Sequence, residues 1–138
     1  MTELASSKIP VTVITDSAAA ARMRAGDVDL CIVGADRVVA NGDVANKVGT
    51  YSLAVVAHHH RIPFYVAMPS STIDPSLASG ADITIEERDP REVSTLGDRR
   101  VTAEHAAVGN AAFDVTPAEL VTAFITDRGM VLPPYRFV

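Results

Sequence analysis

The sequence predicts a single three-layer α/β domain, residues 1–138, built on a mostly parallel sheet. Three observations predict it. Two short β-branched runs, Val11-Thr-Val-Ile14 and Leu30-Cys-Ile-Val33, flank an Ala-rich stretch that stops at Gly26. A third apolar run, Phe64-Tyr-Val-Ala67, follows another helical stretch. Strand, helix and strand in close succession make a βαβ unit, which implies parallel strands joined by a right-handed crossover.

Residues 1–9 are polar and read as frayed, with no apolar core of a signal peptide. Val11–Ile14 reads as a buried strand. Asp16 or Ser17 is placed to cap a helix running to about Ala25, where Gly26 ends it. Leu30–Val33 is the second strand. Gly34 to Asp43 is a loop rich in Gly, Asn and Asp. A helix is expected from about Asn46 to His59, with Tyr51, Leu53, Ala54 and Ala57 on its apolar face. Phe64–Ala67 is the third strand, and Pro69 to Gly80 a long polar loop. Ile83–Ile85 alternates and reads as a fourth strand. Asp89 to Val108 is polar and irregular. Thr116-Pro-Ala-Glu119 has a cap, a first-turn Pro and a capping-box Glu, so a helix is expected to about Thr126, before Gly129. The tail Val131–Val138, with Pro133-Pro134 among apolar and aromatic groups, is expected to dock on a partner.

Composition narrows the function. The chain has 138 residues, 48% of them hydrophobic and only 5% aromatic. The net charge of −5 comes with no basic run, which argues against nucleic-acid binding. No apolar run approaches the roughly 20 residues of a membrane span, so a soluble, cytoplasmic protein is expected. One cysteine, Cys31, excludes an intrachain disulfide framework.

In a parallel sheet, ligands bind beyond the carboxyl ends of the strands. That draws attention to three loops: Thr15–Ser17, Gly34–Lys47 and Pro69–Asp74. Asp36 follows the second strand closely. A carboxyl half-buried there would have a raised pKa and would serve as an acid, although a turn Asp has the same spacing. Asn46 and Lys47 stand at the expected helix start, where free N–H groups, an amide and an ammonium make a phosphate cradle; a solvated surface lysine is the competing reading. Arg37 is within reach of Asp43 or of a phosphate. Ser70, Ser71 and Thr72 offer hydroxyls to a sugar, with Asp74 to orient one. His58, His59 and His60 point about 100° apart on a helix, so they do not converge on one ion, and they read as a helix-terminal cluster. Cys31 reads as an inert core residue.

Several stretches together resemble the methylthioribose-1-phosphate isomerase family, which is grouped with the regulatory subunits of eukaryotic initiation factor 2B and with ribose-1,5-bisphosphate isomerases. They are Gly34-Ala-Asp-Arg-Val, Asn41-Gly-Asp-Val-Ala-Asn-Lys-Val-Gly-Thr-Tyr51, Ile62-Pro-Phe-Tyr-Val, Pro69-Ser-Ser-Thr-Ile-Asp74, Ile85-Glu-Glu-Arg88 and Ala112-Phe-Asp-Val-Thr-Pro-Ala-Glu-Leu120. The resemblance implies a Rossmann-like carboxy-terminal domain, incomplete relative to the full family. It implies that Asp36 is the catalytic aspartate, that Asn46 and Lys47 bind substrate, and that no metal or organic cofactor is used. The implied reaction is aldose–ketose isomerisation of a sugar 1-phosphate in methionine salvage. The family's catalytic Cys lies on an earlier loop that this sequence does not match, and Cys31 does not correspond to it. Asn110-Ala-Ala stands where the family usually has Asn-Pro-Ala. The expected partners are therefore a sugar phosphate and either a second copy or a complementary amino-terminal chain. The rival expectation is a non-catalytic, initiation factor 2B-related phosphate-binding module.

Overall fold

The computed structural model describes residue 4 and residues 6–137, so the expected frayed start falls partly outside the described residues. The chain forms β1 (Cys31–Val33), β2 (Arg37–Val39), β3 (Val44–Lys47), β4 (Phe64–Ala67), β5 (Ile73–Asp74), β6 (Thr95–Leu96), β7 (Arg99–Arg100), β8 (Phe113–Thr116), β9 (Ala123–Thr126) and β10 (Gly129–Val131). Its helices include α1 (Ala19–Ala25), α2 (Thr50–His59) and the single turn α3 (Arg91–Ser94).

The central sheet has the order β1-β4-β9-β10. β1, β4 and β9 run parallel, with Cys31 opposite Phe64 and Val66 opposite Phe124, and β10 closes one margin as an antiparallel hairpin. A second sheet, β5-β2-β3-β8, carries the loop that follows β1. There β5 is parallel to β2, whereas β2–β3 and β3–β8 are antiparallel. The α/β class with parallel central strands thus holds. Phe64, Val66 and Phe124 from the central sheet and Val38 and Val44 from the second are fully buried and share one core. α2 covers it with Thr50, Ala54 and Ala57, a helical spacing of four and three, and the small residues allow close approach. Tyr51, expected on that face, is exposed.

Several elements depart from the sequence reading. Val11–Ile14 forms no strand and pairs with none among the described residues, and every residue in it is exposed. The first helix forms where expected and ends at Gly26 (φ 80°), whose N–H returns to Met23. Neither Asp16 nor Ser17 caps it through a side chain; Asp16–Ala18 is a 3-10 turn leading into α1. The second helix starts at Thr50, not Asn46, because Val44–Lys47 is claimed as a strand between β2 and β8. Ile83–Ile85 has no strand to pair with and follows a 3-10 turn, Gly80–Asp82, closed by a Ser79/Asp82 capping box. The expected helix from Thr116 is not formed. Thr116 ends β8, Pro117 is extended, Ala118–Leu120 is one 3-10 turn, and Ala123–Thr126 enters the sheet beside β4. The tail packs on its own core: Tyr135 and Phe137 lie edge-on against Phe124, and the Tyr135 hydroxyl donates to the Val121 carbonyl. Among the described residues, no helix is long and apolar enough to cross a membrane.

Candidate functional site

The carboxyl end of β1 passes through Gly34 and Ala35 to Asp36. The Asp36 N–H donates to the Ala45 carbonyl at 2.9 Å, which fixes its backbone against the Ala45–Asn46 peptide of β3. The structure therefore brings Asp36 and Asn46 together through the β2–β3 hairpin. The half-burial expected of Asp36 is not found: its residue is exposed, beyond the end of a strand that lies at the sheet margin among the described residues.

Asn46 and Lys47 are neighbours on a strand, so their side chains leave opposite faces. The Asn46 amide donates to Thr50 Oγ1 at 3.1 Å, and that hydroxyl donates to the Lys47 carbonyl at 2.7 Å. Lys47 lines a cleft of about 680 Å³ between the Ile14–Ala20 strip and the start of α2, with Asp16, Leu53 and Val56 also on its walls. Neither Asp36 nor Asn46 reaches that wall.

The start of α2 already holds an anion, and it belongs to the protein. Asp114 in β8 accepts from the Gly49 N–H at 2.7 Å and from the Tyr51 N–H at 3.0 Å. This capping carboxylate occupies the helix N-terminus that the sequence reading reserved for phosphate. Only pairing Asn46 with Asp114 across β3 and β8 places it there. Replacing Asp114 with Ala strips both N–H groups of their acceptor. It is expected to cost about 1–2 kcal/mol, measured by urea denaturation.

The neighbouring charges are also engaged. Arg37 pairs with Asp74 at 3.3 Å rather than with Asp43. Asp74 is held below the usual carboxylate range first by the Ser76 hydroxyl, then by the Ser76 N–H and the Arg37 charge. Ser70 donates its N–H and hydroxyl to Asp127 and ties the polar loop to the β9–β10 turn. Asp43 is a brace: it accepts from Asn41 Nδ2, the Gly80 N–H and the Ala118 N–H, each at 2.9 Å. Burial raises its pKa, but these three bonds more than offset that and hold it below the ordinary value. Glu92 is lowered to about 2, first by its bonds from Arg88 and Asn110, with smaller help from the charges of Arg88 and Lys47. It remains ionised and faces Lys47 electrostatically.

His58 and His59 lie in the last turn of α2 and His60 follows, with the rings of His59 and His60 edge-on at 4.9 Å. Among the described residues, no three metal-ligating groups gather. Cys31 is buried, and burial pushes its thiol up. A second cavity of about 730 Å³ lies at the far end of α2, against His58, His59, Arg61 and Glu119, away from all three candidate residues.

Comparison with known proteins bears on this site as a whole. The sequence profile of the Initiation factor 2 subunit family matches residues 1–133. A methylthioribose-1-phosphate isomerase of Pelotomaculum thermopropionicum is 63% identical over 133 residues, which is 96% of this chain and 36% of that protein. The corresponding protein of Chloroflexus aurantiacus is 60% identical, over 96% of this chain and 38% of its own length. The crystal structure of 5-methylthioribose 1-phosphate isomerase from Pyrococcus horikoshii superposes with a TM-score of 0.91 at 54% identity, covering 96% of this chain and 37% of that one. That of translation initiation factor eIF-2B subunit delta from A. fulgidus gives 0.90 at 49% identity, covering 96% and 38%. The chain thus spans less than two-fifths of the length of these relatives.

Proposed function

This chain belongs to the Initiation factor 2 subunit family, and we propose that within it the chain forms part of a methylthioribose-1-phosphate isomerase, the carboxy-terminal part, inactive or weak alone. The observation that carries the reading is the identity of 60% or more, across nearly all of this chain, to proteins of that name.

In this reading the substrate is a furanose 1-phosphate whose anomeric phosphate locks the ring. Opening it needs a proton at the ring oxygen, and Asp36, at the carboxyl end of β1, is the residue placed to give it. A hydrogen then passes from C2 to C1, so the ketose product has the composition of the aldose. Asn46 and Lys47 hold the substrate. Lys47 brings a mobile positive charge to the cleft, and Asn46, tied to Thr50, keeps the strand end rigid. The exposure of Asp36 fits a site completed by a covering segment. Covered by one, its carboxyl would meet the substrate with water excluded. The cytoplasm is the compartment that suits this reading, and no cofactor is invoked in it.

A second reading, a phosphate-binding module without turnover, draws support from the equally close superposition on the initiation-factor subunit. Both readings need the Lys47 contact. Calorimetry with a ribose 1-phosphate should show Lys47→Ala weakening binding by about 1.5–3 kcal/mol, roughly 10- to 150-fold, as expected for a charge-assisted contact. Unchanged affinity in the variant would remove Lys47 from the site.

A further inference from the structure

We propose that the cavity at the carboxyl end of α2 binds a small zwitterion of the amino-acid class, with Arg61 holding its carboxylate and Glu119 its ammonium. The site is separate from Asp36, Asn46 and Lys47 and does not rest on the isomerase reading.

The first observation is a pair of opposite charges that face one space without meeting. Arg61 and Glu119 both line the cavity of about 730 Å³. Among the described residues neither side chain makes a hydrogen bond or an ion pair, with the other or with any third group. Arg22, Arg37, Arg88 and Arg91, by contrast, each pair with a carboxylate. A cation and an anion that share a cavity unpaired suit a ligand that carries both charges, each beside its opposite.

The second observation is the backbone of Arg61. α2 ends in a Schellman turn: the Ile62 N–H donates to the Ala57 carbonyl at 2.9 Å and the Arg61 N–H to the His58 carbonyl at 3.0 Å. The turn holds Arg61 at φ 59°. Glycine is the usual residue there, because a Cβ is crowded in the left-handed region. α1 follows that rule, with Gly26 at φ 80°. A cation does favour the negative end of a helix, but any position in the last turn would supply it. An arginine kept in the one strained position points to a use for its side chain.

The third observation is how the opposite wall is built. Glu119 stands in the middle of the Ala118–Leu120 turn. Asp43 holds the Ala118 N–H at 2.9 Å, and the Leu120 N–H closes on the Pro117 carbonyl at 3.0 Å. The capping-box role that its spacing suggests lapses, because no α-helix follows Thr116. Ile62, Leu120, Val121 and Pro133 give the cavity an apolar side, while His58 and His59 add to its polar side. An inorganic anion would be repelled by Glu119. A sugar would leave both charges and the apolar side unmatched. A small amino acid with an aliphatic side chain matches all three.

The test is an NMR titration of the 138-residue chain with L-leucine, 4-methylpentanoate and isoamylamine. The three share an aliphatic body and carry both charges, the carboxylate alone and the ammonium alone. The expected result is saturable shifts of the Arg61, Ile62 and Val121 amides with leucine in the millimolar range. Each single-charge analogue should bind at least about tenfold more weakly, the worth of one charge-assisted contact. Glu119→Gln should erase the preference for leucine over 4-methylpentanoate. Arg61→Gly should lose leucine binding and raise the thermal midpoint, because glycine relaxes the left-handed turn. A residue kept only for stability would lower it. The proposal is overturned by the absence of saturable shifts with leucine, by shifts confined to other parts of the chain, or by equal affinity for either analogue. It is also overturned by an Arg61→Gly chain that is less stable than the parent or binds leucine as well.

Discussion

Replacing Phe124 with Ala is expected to remove about 3–5 kcal/mol of stability, the cost of deleting a buried aromatic that the surroundings cannot refill. Phe124 is fully buried in β9, parallel to β4 at Val66. Its ring receives Tyr135 and Phe137 edge-on at centroid distances of 4.7 and 5.2 Å. The cavity would therefore loosen two elements at once, the inserted strand and the tail that covers it. Against a total of about 5–15 kcal/mol for a domain, this is a large fraction. Urea denaturation followed by circular dichroism measures it. A midpoint unchanged from the parent would mean that the tail does not seal the core.

Asp36→Asn is expected to lower isomerase turnover by about 10²–10⁴-fold in the complemented protein, the usual contribution of a positioned acid. The amide keeps the shape and still donates a hydrogen bond, but it has no proton to release. Sugar-phosphate affinity should be unchanged or slightly higher, because the substitution removes a negative charge near an anion. That split separates an acid from a binding residue: a loss confined to affinity would reassign Asp36 to substrate binding.

The parts of the fold that were legible in the sequence rest on local chemistry. Gly26 takes the left-handed conformation that ends α1, and the aliphatic runs of β1 and β4 are short, β-branched or aromatic and bounded by turn residues. The parts that were not legible depend on distant partners. Val-Ala-Asn-Lys has little strand character, yet β2 and β8 pair with it on both sides. The capping signal at Thr116-Pro-Ala-Glu119 is real but is spent on one 3-10 turn, because Ala123–Thr126 gains more by lying beside β4. The site shows the same division. Asp36, Asn46 and Lys47 stood out because of their segment, and the hairpin does bring Asp36 beside the Asn46 peptide. Asp114 and Asp43 were missed because each reaches backbone N–H groups more than 60 residues away, at Gly49 and Ala118. No local pattern encodes such a bond.

The central proposal is that this chain holds one side of an isomerase site and is inactive or weak alone. Its most direct test is proton NMR of methylthioribose 1-phosphate incubated with the chain alone, with the complementary polypeptide alone, and with both. The account predicts that the ketose phosphate appears in the mixture and is absent or very slow with either component. A chain that turns substrate over at full rate alone, or a mixture that forms a complex and makes no ketose, would contradict it.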